Sequence, residues 1–208
     1  MNNSIFAAPG PKPQGPYGGV KVLFLHGLEG SPTGAKSLHL QKNWSASCPP
    51  IRTEKLRSVK SENSNIPWTR IEPNLIEDAL APAVKDAVDA INYLKPDVVV
   101  GSSMGGAILA KIISEEIVDH TSFSKVFLAP AIYELLGNIN LPEMKDSVWI
   151  LGESDFVVNN SENVKKCLSS NGNLILSPSD SHRLSNALSS GMIDAAITTC
   201  IEIRSNVL

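Results

Sequence analysis

The chain has 208 residues, 42% of them hydrophobic and 19% charged, with a formal net charge of −3 at pH 7. That length suits one domain with a full core, and the mild acidity excludes the basic face that nucleic-acid binding needs. No apolar run approaches the roughly 20 residues of a membrane-spanning helix, so no membrane span is expected.

Residues 1–19, MNNSIFAAPGPKPQGPYGG, are rich in Pro and Gly. They lack the basic start and sustained apolar stretch of a signal peptide, and read as a tail ahead of a single domain over 20–208. The three cysteines, Cys48, Cys167 and Cys200, are scattered without metal-ligand spacing. An odd count with no secretory signal points to reduced, buried thiols and a cytoplasmic protein. No metal or other cofactor is expected.

Beyond the tail, apolar strands alternate with amphipathic helices, the pattern of an α/β fold with a mostly parallel central sheet. Six strands are expected, at Val20–Leu25, Ile51–Leu56, Val98–Gly101, Lys125–Ala129, Val148–Leu151 and Asn173–Ser177. Most are continuous apolar runs, as when helices cover both faces of a sheet. Helices are expected near Thr33–Trp44, Asn74–Leu94, Gly105–Val118, Ser161–Ser169 and Arg183–Ile203. In the second of these, Ile76, Leu80, Val84, Ala87, Ile91 and Leu94 form one apolar stripe. Pro82 could kink that helix, and Gly191 could divide the last one. The polar stretch Arg57–Pro73 reads either as a cover over the site or as a surface excursion. The connection Pro130–Ser147 has room for only a turn or two of helix, so little or no cap domain is expected.

The chemistry centres on Gly101-Ser102-Ser103-Met104-Gly105, where an apolar strand breaks into a helix-like run. This G-x-S-x-G elbow lifts the Ser103 hydroxyl above a sheet, with small residues where the turn closes. A hydroxyl needs a base and the base an orienting acid. Of four histidines, only His182 follows both Ser103 and a candidate acid, in the order nucleophile, acid, histidine. Asp155, directly after a strand, leads for the acid; Glu153 and Asp180 are rivals. Asp180, two residues before His182, is better placed to shape the loop through local backbone bonds. Developing oxyanion charge requires aimed donors. The backbone N–H of Met104 supplies one, and that of Leu28, in His26-Gly27-Leu28-Glu29-Gly30, is the candidate for the second. His26 then reads as a structural residue that holds this turn. Each piece has a bland alternative: a tight turn, a solvated histidine, a helix-capping aspartate. Their joint order at strand ends favours the functional reading.

The segments LFLHGLEGSP, VVVGSSMGGAILA, VWILGESDFVV and SDSHRLS together resemble α/β-hydrolases, from about Val20 to the last helix. The HGLEGSP loop with Ala35-Lys36-Ser37 is similar to the small, nearly lidless esterase-like branch. The resemblance implies a three-layer fold, a triad of Ser103, Asp155 and His182, and an oxyanion hole at Leu28 and Met104. It implies a serine hydrolase cleaving small carboxylic esters through an acyl-enzyme, with a small-molecule ester or acyl compound as partner. Thioesterases, peptidases, lyases and non-catalytic binding proteins share this fold and stay open as alternatives.

Overall fold

The computed structural model describes residues 19–207. All but Gly19 of the expected tail therefore lies outside the described residues. Five strands, β1 (Val22–Leu25), β2 (Val98–Ser102), β3 (Ser124–Leu128), β4 (Ser147–Gly152) and β5 (Asn173–Ser177), pair in the order β1-β2-β3-β4-β5. Every pairing is parallel, with Leu25 beside Gly101 and Ser102 beside Leu128.

The strand expected at Ile51–Leu56 is absent. From Glu54 to Glu62 the chain is helix α2, in which Leu56 is the one buried residue, because the stretch is polar or charged except for Leu56 and Val59 at helical spacing. The outer side of β1 is occupied by a single parallel bridge at Ser47 instead. There Ser47 N–H donates to the Val22 carbonyl at 2.8 Å and Phe24 N–H to the Ser47 carbonyl at 2.9 Å.

The remaining helices are α1 (Ala35–Trp44), α3 (Pro73–Leu94), α4 (Met104–Ser114), α5 (Ile132–Leu136), α6 (Asn160–Ser169), α7 (Ser185–Ser189) and α8 (Met192–Val207). Helix α3 continues through Pro82, and Gly191 (φ +77°) divides α7 from α8. The Arg57–Pro73 stretch is no structureless loop. It contains most of α2 and a single 3₁₀ turn, Trp68–Arg70, with Trp68 packed on the core. Between Pro130 and Ser147 the chain forms only the five residues of α5, so no cap domain is inserted there.

Strand side chains alternate between two cores. Leu23, Leu25, Val99, Phe127 and Trp149 pack with α3, α4 and α5 on one face. Val22, Phe24, Val98, Val100, Val126, Val148 and Ile150 pack with α1 and α8 on the other. Each such side chain, fully buried, contributes about 1.5–3 kcal/mol. The second face is also pinned by Asp194 of α8, which accepts hydrogen bonds from Trp44 Nε1–H at 2.6 Å and His39 Nε2–H at 2.9 Å.

Among the described residues no helix is long and apolar enough to cross a membrane. All three cysteines are buried, and burial pushes their thiols up, to about 11 for Cys48 and about 12 for Cys167 and Cys200.

Helix α4 begins against the backbone end of β1. A Cβ on Gly105 would lie 2.0 Å from the Leu25 carbonyl oxygen, and one on Gly101 2.7 Å from the Gly105 carbonyl oxygen. Both contacts are with backbone, which cannot step aside. Gly105→Ala, ordinarily favourable inside a helix by about 1 kcal/mol, should here destabilise the fold by roughly 3 kcal/mol or more. A urea unfolding midpoint equal to or above that of the parent would contradict this packing.

Candidate active site

Between β2 and α4 the chain turns through Ser103 at φ 53° and ψ −114°, a conformation L-residues adopt only under constraint. The constraint comes from three directions. Ser103 N–H donates to the Leu128 carbonyl at the end of β3 at 2.9 Å. Its carbonyl accepts from Ala131 N–H at 3.0 Å, just before α5, and from Ala107 N–H of α4 at 3.1 Å.

The structure brings Ser103, His182 and Asp155 into one line. The Ser103 hydroxyl donates to His182 Nε2 at 2.8 Å, and His182 Nδ1–H donates to Asp155 Oδ2 at 2.9 Å. The tautomer follows from the ionised aspartate, which can only accept. The Asp155 side chain is fully buried. Its second oxygen, Oδ1, accepts from Val157 N–H at 2.8 Å and Val158 N–H at 3.2 Å. Burial alone would raise its pKa. The hydrogen bond and charge of His182, with the two backbone N–H groups, outweigh burial and hold the carboxyl below its ordinary value.

The loops carrying acid and histidine interlock. A Cβ at Gly152 would sit 2.6 Å from the Asp180 carbonyl, and Ser154 N–H donates to that same carbonyl at 2.8 Å. Asp180 does not touch the imidazole. Its carboxylate accepts from the Ser177 hydroxyl at 2.9 Å, Asn186 N–H at 3.1 Å and Ala187 N–H at 2.8 Å. Glu153 Oε2 accepts from Ser179 N–H at 3.1 Å. Both rivals thus shape the histidine loop.

On the other flank, Gly27 approaches Ser103 so closely that its Cβ would lie 3.1 Å from the Ser103 Cβ. The Gly27 carbonyl accepts from His26 Nδ1–H and from Gly30 N–H, both at 2.9 Å. In a trans peptide the following N–H points opposite to its carbonyl, so these two bonds orient Leu28 N–H. Met104 N–H is at the start of α4, where no intrahelical acceptor exists. His26 is buried, and desolvation lowers its pKa; the Gly27 bond opposes this, and the Arg57 charge adds to it. Ser102 is buried at the end of β2. His39 is bound to Asp194, and His120 belongs to a 3₁₀ turn, Thr121 and Ser122 completing it. Among the described residues no group of three or more His, Cys, Asp or Glu side chains could hold a metal ion.

No protein-family model matches the sequence, and no curated protein matches it. Solved structures do match. A protein of the alpha/beta hydrolase superfamily from Xanthomonas campestris pv. campestris aligns at TM-score 0.62 with 15% identity, over 90% of this chain and 98% of its own. Est1E from Butyrivibrio proteoclasticus, with ferulic acid bound, aligns at 0.62 with 13% identity over 91% of each chain. An alpha-beta serine hydrolase homologue from Coxiella burnetii aligns at 0.55 with 15% identity, over 95% of this chain and 97% of its own.

The chain has the α/β-hydrolase fold.

Within this α/β-hydrolase fold, two residues near the site were not singled out by the sequence. Arg57 of α2 donates to the Leu28 carbonyl through Nη2 at 2.6 Å and Nε at 3.2 Å, so the unplaced polar segment braces the loop beside the serine. Glu134 of α5 accepts from Asn159 N–H through Oε1 at 2.6 Å, while its Oε2 is buried with no hydrogen-bond partner. Burial raises the Glu134 pKa; the Asn159 bond opposes this and the nearby charge of Asp155 adds to it. Neither residue lies in a motif, and long-range pairs carry no periodic signal.

Burial would raise the Asp180 pKa too, but the N–H groups of Ala187 and Asn186 and the Ser177 hydroxyl hold it below the ordinary value. Its charge therefore adds stability that is complete above the unfolded-state pKa of about 3.9 and vanishes as pH falls through the lower folded value. The gap in urea midpoint between the parent and Asp180→Asn should be widest near neutrality and close in acid. A gap constant with pH would show that the carboxylate charge does not hold the loop.

Proposed function

We propose that this protein is a serine hydrolase that cleaves small carboxylic esters through an acyl-enzyme. The observation that carries the reading is the hydrogen-bonded line from Ser103 through His182 to Asp155, drawn from the ends of β2, β5 and β4. The neighbours support hydrolase chemistry. One holds ferulic acid, and another match comes from the lipolytic enzymes LipS and LipT, at TM-score 0.57 and 13% identity.

In this mechanism the Ser103 proton passes to His182 Nε2 as Oγ bonds to the ester carbon. The negative oxygen of the tetrahedral intermediate faces the N–H groups of Leu28 and Met104. The intermediate collapses, the C–O bond to the alcohol breaks, and His182 gives its proton to the departing oxygen. Water, deprotonated by His182, then attacks the acyl-enzyme; the acid leaves and Ser103 recovers its proton. Asp155 stays ionised throughout, orienting the ring and stabilising the imidazolium.

Ser103→Ala should lower turnover of a short p-nitrophenyl ester by at least about a thousandfold, and a fluorophosphonate probe should label the parent at Ser103. Unchanged turnover, or labelling elsewhere, would refute the assignment. Asp155→Asn should cost about 10⁴ in kcat while the protein still unfolds cooperatively.

The pH–rate profile gives a separate check. Only neutral His182 can accept the serine proton, so kcat/KM should rise with pH as the imidazole deprotonates. The depressed Asp155 keeps its charge across that rise. A profile flat from acid to alkaline pH would rule out His182 as the base.

A further inference from the structure

Three consecutive backbone N–H groups of the acid loop are held by carboxyl oxygens. Those of Val157 and Val158 donate to Asp155 Oδ1, at 2.8 and 3.2 Å. The next, on Asn159, donates to Glu134 Oε1 at 2.6 Å. Adjacent Cα atoms in a trans chain stay about 3.8 Å apart, so a shift of the Asn159 peptide is passed directly to the groups that hold Asp155. Glu134 itself comes from elsewhere in the fold, the first turn of α5 after β3.

The entry to α5 is tied to the nucleophile. Ala131 N–H, one residue before the helix, donates to the Ser103 carbonyl at 3.0 Å. Pro130 is pressed against α4, since a Cβ on Gly106 would meet the Pro130 Cβ at 2.6 Å. The fully buried Asn163 of α6 donates through Nδ2 to the Pro130 carbonyl at 2.9 Å. Residues 130–134 therefore form a strut, with the serine turn at one end and the acid loop at the other.

The residue type at 134 points the same way. Glu134 Oε2 is buried with no hydrogen-bond partner, an arrangement that costs stability. An apolar side chain there would avoid that cost but would leave Asn159 N–H without its acceptor. Among the described residues no hydrogen bond joins Glu134 to Ser103, His182 or Asp155, so its influence on them passes through the loop. We propose that Glu134 is a positioning residue, whose acceptor oxygen holds the acid loop where Asp155 meets His182 Nδ1. The inference rests on the serine-hydrolase reading for its consequence in catalysis, while the hold on Asp155 can be read without turnover.

Glu134→Ala should lower kcat for a short p-nitrophenyl ester by about tenfold or more, with KM within about twofold. Glu134→Gln keeps an acceptor oxygen and should restore most of that loss. Made in an Asp155→Asn background, Glu134→Ala should cost less than about twofold, because changes acting through one contact do not add. Equal losses in both backgrounds would show a general loosening of the fold and overturn the proposal. So would an unaffected kcat in Glu134→Ala, or a Gln variant as slow as the Ala variant. If Glu134→Ala does not fold, the donor is removed instead. Asn159 has φ −78°, which proline accepts, so Asn159→Pro deletes the N–H while Asn159→Ala keeps it. The Pro variant should be at least about fivefold slower than the Ala variant, and equal rates would overturn the proposal.

A spectroscopic readout separates this inference from the mechanism. The proton between His182 Nδ1 and Asp155 should give a proton NMR line downfield of the amide region, identified by its loss in His182→Gln. Glu134→Ala should shift or broaden that line, and Glu134→Gln should leave it in place. A line untouched by Glu134→Ala would overturn the role of Glu134 and leave the mechanism standing. A line that responds, in a protein whose Ser103→Ala variant keeps full esterase turnover, would refute the mechanism and leave the hold on Asp155.

Discussion

The geometry depends on a turn that the chain would not adopt by itself. Ser103 is held at positive φ because β2 must give way to α4 within one residue, and α4 must start against the carbonyl end of β1. The cost, of order 1–3 kcal/mol for such a conformation, is offset by bonds to the ends of β3, α4 and α5. Those bonds place the serine at a point that three other elements share. A helix shifted outward by even a Cβ would relax the turn and carry the hydroxyl away from His182.

Asp155 and His182 are secured differently. Their loops, at the ends of β4 and β5, cross at Gly152, where no side chain could fit beneath the backbone of Asp180 and Ser181. The carboxylates of Asp180 and Glu153 then tie that crossing with backbone N–H groups. His182 thus leaves a loop fixed at this crossing, with its Nδ1 on the Asp155 carboxylate and its Nε2 on the Ser103 hydroxyl.

Much of this was legible in the sequence, for physical reasons that differ by residue. Strands β1 to β4 each carry an unbroken run of three or four apolar residues, and α3 carries one stripe over many turns, so the apolar pattern finds them. Ser103 and Gly105 are visible because the turn tolerates few residue types. The strand expected at 51–56 was misread because Ile51 and Leu56 bracket a charged stretch whose helical spacing is only two residues deep. Its place beside β1 went to Ser47, a polar residue in a one-residue bridge that leaves no pattern. Arg57 and Glu134 were beyond reach because each acts across the fold, on Leu28 and Asn159, through pairs that adjacency in sequence does not reveal.

The support around the serine is delivered largely by main chain. The carboxylate of Asp155 is met by the N–H groups of Val157 and Val158, the acid loop is tied to the carbonyl of Asp180, and Arg57 grips the carbonyl of Leu28. Peptide groups are the same whatever side chain they bear. Positions 28, 157, 158 and 181 can thus change identity while keeping their peptide groups in place. Such an arrangement is passed on as shape more readily than as spelling, which gives a physical reason why chains only 13–15% identical still superimpose over nine-tenths of this one.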